Sequence, residues 1–161
     1  MTTTQAHAID PIRLKQIWRD RTDERGNPLQ AYDSDETFPL RCCLRQSRTG
    51  EEIALISYAP LAGRSPWAER GPVFIHLRPC DGYADEGLPA DHRHGARVLR
   101  SYRHDGTMDY DGIVVTEPGD DLEPVLADLL TDPRRHEVHV RSVTAQCFTY
   151  RVTRSGEEPL A

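Results

Sequence analysis

The stretch EVHVRSVTAQCFTYRVTR, residues 137–154, reads as two β-strands folded back on each other. Successive side chains along a strand point to opposite faces. Val138 and Val140 therefore supply an apolar face, while His139 and Arg141 share the other. The short connection between the strands brings Cys147 into the same hairpin. The segment VFIHLRPC, residues 73–80, has a similar pattern, with His76 and Arg78 alternating with Ile75 and Leu77. A buried imidazole, guanidinium or thiol is costly unless it has partners or a role. These two strands are the expected walls of a site.

The hairpin is preceded by the clearest helical pattern of the chain. Leu122, Val125, Leu126, Leu129 and Leu130 recur at helical spacing, with Asp120 or Asp121 as cap and Pro124 still in the first turn. The Thr131-Asp132-Pro133 run ends that helix. A second helix starts at Asp10-Pro11, an N-cap followed by a proline at the first helical position, and runs to about Arg21. Between the helices, strands are expected over residues 38–44, 53–58, 73–77 and 97–102, with a short β-branched run at 113–116. Residues 60–72 and 80–95 read as loops, the second long enough to serve in binding. The order predicts an α+β fold, a central antiparallel or mixed β-sheet with a helix near each end of the chain. It would be a single domain over residues 10–155, with residues 1–9 and 156–161 as flexible termini.

Composition narrows the function classes. A chain of 161 residues can bury a core of its own. Its net charge of −6 argues against nucleic acid, whose phosphates need clustered basic residues. No apolar run approaches the roughly 20 residues of a membrane span. The first ten residues, MTTTQAHAID, lack the basic and apolar regions of a secretory signal. The expected compartment is cytoplasmic, with the four cysteines as free thiols. The oligomeric state stays open.

The chemistry the residues suggest is thiol chemistry beside arginines. A thiolate is the reactive form of cysteine, and a neighbouring imidazole or guanidinium favours it. Cys147 is thus the expected nucleophile or acid, and His139 the general base or orienting partner. Arg41, Arg78, Arg100 and Arg141, with His76, are the expected holders of an anionic substrate, because a planar guanidinium suits carboxylate or phosphate. The first reading is a small enzyme acting on an anionic small molecule. The alternative is a non-catalytic ligand-binding or protein-interaction domain, in which Cys147 only packs and the arginines hold an anion or an acidic partner. No metal and no cofactor are expected, since neither C-x-x-C nor H-E-x-x-H spacing occurs. A metal site, were there one, would draw on His76, Cys80, His139, Cys147 and Cys43. The adjacent Cys42 and Cys43, read as strand residues, would point to opposite faces.

Several short motifs in order carry a resemblance: FPLRCCL, the Gly50-Glu51 turn into ALISY, SPW then GPVFIH, LRSYRHDGTMDYDGIVV, and VHVRSVTAQCFTYRVTR. The chain resembles the bacterial domain of unknown function 1203 family over about residues 38–154. The resemblance marks Pro39, Arg41, Ser65, Pro66, Gly71, Pro72, Phe74, Arg97, Arg100, Tyr102, His139, Cys147 and Phe148 as family-like. Leu40 stands where many relatives have Cys, Arg141 where many have a second His, and Gln146 where a Gly is usual. The family implies a domain and no particular activity.

Overall fold

The computed structural model describes residues 2–63, 65–84 and 87–161. Met1, Arg64, Asp85 and Glu86 lie outside the described residues, and with them parts of the expected N-terminal tail and of the two loops. A five-stranded antiparallel sheet organises the chain. It is built from β1 (Thr4–His7), β4 (Arg97–Arg103), β5 (Met108–Val115), β6 (Arg135–Ser142) and β7 (Phe148–Arg154), in the order β1-β7-β6-β4-β5. A separate hairpin joins β2 (Ile53–Tyr58) to β3 (Gly71–His76). The helices are α1 (Pro11–Asp20) and α2 (Leu122–Leu129). The expected α+β class is thus what the chain adopts, with an antiparallel sheet.

The two faces of the large sheet differ as the β6 alternation requires. Val138, Val140, Leu99, Tyr150 and Val152 pack with Leu122, Leu126, Leu129 and Leu130 of α2 into one apolar core. Asp121 caps α2 by accepting from the Glu123 amide at 3.1 Å. On the other face Glu137, His139 and Arg141 follow one another along β6, and all three are buried. A second core lies around the β2-β3 hairpin, where α1 contributes Leu14, Ile17 and Trp18, and Phe148 reaches in from β7. Asp10 caps α1 through the Ile12 amide at 2.8 Å, as its position before Pro11 predicts.

Two expectations are corrected. The N-terminal stretch, expected to fray, contains β1, which pairs residue for residue with β7 from Thr4↔Arg154 to His7↔Arg151. Its sequence, TQAH, has no apolar alternation, and its place comes from pairing with a distant strand. Residues 38–44 are not a strand. Pro39 and Leu40 each make a single bridge, to Gln46 and Phe74, and the chain then turns, with Leu44 at φ 57° donating its amide to the Leu40 carbonyl at 3.0 Å. The turn is set by packing: Leu40 and Cys42 enter the hairpin core while Leu44 enters the α2 core. A straight strand could not divide these residues between two cores.

The register of β4 against β5 shifts between Arg100 and Ser101, so that residues 110–112 bulge. At Gly112 an added Cβ would stand 2.7 Å from Cβ of Ser101 and 2.8 Å from Nε of Arg135, the residue that pairs with the buried Asp109 at 2.7 Å. Gly112→Ala is therefore expected to cost about 1–3 kcal/mol through overpacking. Thermal denaturation of the variant beside the parent checks it, and an unchanged midpoint would show that the bulge can yield.

Candidate functional site

The turn between β6 and β7 and the start of β3 enclose a cavity of about 320 Å³. Among the described residues its charged lining is Arg70, Arg100 and Arg141 against one carboxylate, Glu69. Cys147, Gln146, Phe148, Tyr58 and the turn backbone complete it. Arg100 and Arg141 lie on neighbouring strands and converge on the same Glu69 oxygen, at 2.7 Å and 3.1 Å. Arg100 also donates to the Gln146 side chain at 3.0 Å, and Arg141 to the Gln146 carbonyl at 2.9 Å. That carbonyl is available because Gln146 sits at φ 57°, in the left-handed region. Arg141 is largely buried, and burial lowers its guanidinium from the ordinary arginine value. Its Nε is buried with no hydrogen-bond partner among the described residues.

Arg41 lies close by, buried beneath this wall. It donates from Nε to the Phe148 carbonyl at 2.7 Å and to the Pro39 carbonyl. No carboxylate pairs with it among the described residues. Burial brings it down to about 10, while the nearby Cys147 acts in the opposite direction. It remains a cation at neutral pH, held by the carbonyl dipoles of Phe148 and Pro39.

His139 takes a different position from the one expected. It is only 1% exposed and does not line the cavity. Its Nε2 meets the Glu137 carboxylate at 2.7 Å, and its ring lies between Tyr102 and Phe148, with centroids at 4.3 Å and 5.3 Å. Burial lowers the imidazole below its ordinary value, so the neutral ring donates from Nε2 and leaves Nδ1 without a partner among the described residues. Glu137 also accepts from Arg151 at 3.3 Å and from the Leu160 amide at 2.7 Å. Burial would raise this carboxyl, but His139, Arg151 and the amide outweigh it and hold it at about 2. Glu137 is not among the expected site residues, although it belongs to the same alternating set as His139 and Arg141.

Of the residues expected at one site, Cys147, Arg100 and Arg141 meet at the cavity, with Arg41 beneath it. Arg78 is elsewhere. β3 ends at His76, and Arg78 is an exposed residue beside Glu52 at 3.3 Å. His76 also lies apart. Its Nδ1 faces the thiols of Cys42 at 3.4 Å and Cys43 at 3.8 Å, and its Nε2 meets Glu51 at 2.7 Å. Cys80 completes this second cluster, in which all the ligand-capable atoms lie within 4.8 Å of one another. The thiols of Cys43 and Cys80, helped by Glu51 and opposed by burial, raise the His76 imidazole to about 10. Cys42 is shifted up by its hydrogen-bonded neighbours Cys43 and Cys80, and Cys80 is shifted down by Cys42 and Cys43. This is the grouping among the described residues that could hold a metal ion, and it excludes both His139 and Cys147. The turn at residues 41–44 brings Cys42 and Cys43 to one place, where a strand would have separated them. The adjacent cysteines and the His76/Cys80 spacing were the available signals, and neither matches a familiar metal motif.

Among the described residues no helix is long and apolar enough to cross a membrane. No curated protein and no solved structure matches the chain. A family model described as Protein of unknown function (DUF1203) matches residues 37–154. The match takes in the turn at 41–44, the β2-β3 hairpin and all of β4 to β7, so both clusters of side chains lie within it. Covering well over half of the sequence, it establishes that the chain belongs to the DUF1203 family.

Proposed function

We propose that this domain binds a small anionic molecule in the cavity between the β6-β7 turn and β3. The observation that carries the reading is the lining charge: three guanidiniums face one carboxylate, in a chain whose net charge is −6. Glu69 is half-exposed and occupies both Arg100 and Arg141, as the carboxylate of a ligand would. A planar guanidinium favours carboxylate or phosphate, and two of them on adjacent strands give a fixed fork. The volume of about 320 Å³ suits a metabolite-sized anion and not a polymer. A reducing cytoplasm fits this reading, because Cys147 keeps its thiol in the cavity and all four cysteines are unbridged.

Catalysis is the second reading, favoured by the presence of Cys147 on the same wall as Arg100 and Arg141. There Cys147 is the nucleophile, and His139 acts only through Phe148, against which it packs edge-on. The binding reading asks nothing further of His139, and the geometry supports it better.

Titration with citrate and with inorganic phosphate, followed by calorimetry, tests the reading. Arg141→Ala is expected to weaken the bound anion by roughly 2–5 kcal/mol, the usual loss when one partner of a buried charge pair is removed. Glu69→Gln should tighten it, since the competing carboxylate is gone. Cys147→Ser should leave binding close to the parent value. An anion whose affinity ignores both Arg141→Ala and Glu69→Gln would show that the cavity is not its site.

A further inference from the structure

The cluster around His76 is remote in character from the arginine cavity. It gathers three thiols and an imidazole at the point where the 41–44 turn, the end of β3 and the following loop meet. We propose that Cys42, Cys43, Cys80 and His76 bind one zinc ion in a closed tetrahedral site, with Glu51 fixing the imidazole from outside.

The distances carry the argument. Zn–S bonds of about 2.3 Å and a Zn–N bond of about 2.0 Å in a tetrahedron require S···S of roughly 3.8 Å and S···N of roughly 3.6 Å. Sγ of Cys42 and Cys43 are 4.0 Å apart, and Nδ1 of His76 lies 3.4 Å and 3.8 Å from them. The chain already holds these atoms at near-tetrahedral separations. Neutral thiols have no comparable reason to converge on one point. The outer shell is that of a metal-ligating histidine, whose second nitrogen characteristically donates to a carboxylate. Nε2 of His76 meets Glu51 at 2.7 Å, leaving Nδ1 for the ion. Glu51 is itself fixed by Arg45 and by the Arg48 amide at 2.8 Å. The His76 amide donates to Sγ of Cys42 at 3.3 Å, which lowers the charge that this sulfur presents to the ion. Arg45 adds a positive charge beside the thiolates, whose three negative charges exceed those of a divalent cation by one.

Three thiolates and an imidazole select zinc over magnesium or calcium, which take oxygen ligands. Four protein ligands leave no open position, so the centre is structural. It would tie the turn to the end of β3 and to the start of the long loop. Cys42 and Cys80 also line a larger cleft of about 1130 Å³, which gives the ion a route in.

The test is titration of the reduced, metal-free full chain with cobalt(II), which reports tetrahedral thiolate ligation by intense visible bands and a thiolate-to-metal band in the near ultraviolet. One equivalent of cobalt should develop both, and one equivalent of zinc should bleach them. Cys43→Ser and Cys80→Ser are each expected to lower the zinc affinity more than 100-fold. Glu51→Gln leaves all four ligands in place, so it should keep the bands and weaken zinc by 10- to 100-fold. Cys147→Ser should leave the spectrum unchanged. Only weak octahedral bands from folded, reduced parent protein would overturn the proposal. So would tetrahedral bands that survive in Cys80→Ser but vanish in Cys147→Ser.

Discussion

Glu137→Ala should unfold more of this protein than any other single change on the polar face of the sheet. The carboxylate is fully buried and accepts from His139, Arg151 and the Leu160 amide at once. Among the described residues its removal leaves the Arg151 cation facing only the Pro60 and Leu160 carbonyls, and leaves the imidazole with neither nitrogen satisfied. Breaking a buried ion pair from one side costs about 3–5 kcal/mol. For a chain of this size that is a fall in melting temperature of roughly 6–20 °C. Glu137→Gln should recover part of the loss, because the amide oxygen still accepts one of the three bonds. Calorimetric melting of both variants checks the order, and a Glu137→Ala midpoint within a degree or two of the parent would refute the account.

Stability should also fall steeply in acid, and by the same residue. Glu137 sits at about 2, against an ordinary value of 4.5. A carboxyl lowered by folding stabilises fully above its unfolded value, and the contribution is lost as pH falls from there through the folded value. The window is therefore about pH 4.5 down to 2, and the full contribution is roughly 3 kcal/mol. His139 acts in the same direction and earlier. Folding lowers its imidazole from 6.5, so protons bind the unfolded chain preferentially once pH drops below that value. Urea unfolding between pH 6 and 3, below the range in which the raised His76 imidazole acts in the opposite direction, should show stability declining throughout, more steeply below 4.5. In Glu137→Gln the lower limb should flatten while the upper one persists. A parent protein equally stable at pH 6 and pH 3 would contradict both assignments.

The elements that announced themselves in the sequence did so through local periodicity. The α2 leucines and the β6 valines each specify a face without reference to anything distant, and both faces pack as read. β1 could not be read this way, because Thr4–His7 is a strand only by virtue of its pairing with β7. The 41–44 turn escaped for a related reason, since FPLRCCL alternates poorly and its course follows from two cores claiming Leu40 and Leu44 separately. For the site, alternation placed Arg141 and His139 on one face, but it does not say how deep a face lies. Arg141 reaches the cavity at the end of β6, whereas His139, two residues further in, is sealed by Tyr102 and Phe148. The thiol cluster needed three separate segments to meet, which no spacing within one segment can reveal.

The pairing of β1 with β7 bears on how the protein is made. His7 bonds to Thr153 across 146 residues, so β1 leaves the ribosome long before β7 and has no partner until β7 follows. At ordinary rates of translation that wait is roughly 7–30 s. Meanwhile β4 and β5 can close as a hairpin, but the middle of the sheet has no partners on its far side until β6 and β7 emerge. Pairings this distant in sequence are slow to form and leave apolar surface uncovered in the interval. A nascent chain stalled before residue 148 should consequently be a chaperone client with residues 4–7 still open to protease. Emergence of residues 148–160 lets β1 and the Glu137–Leu160 contact form together.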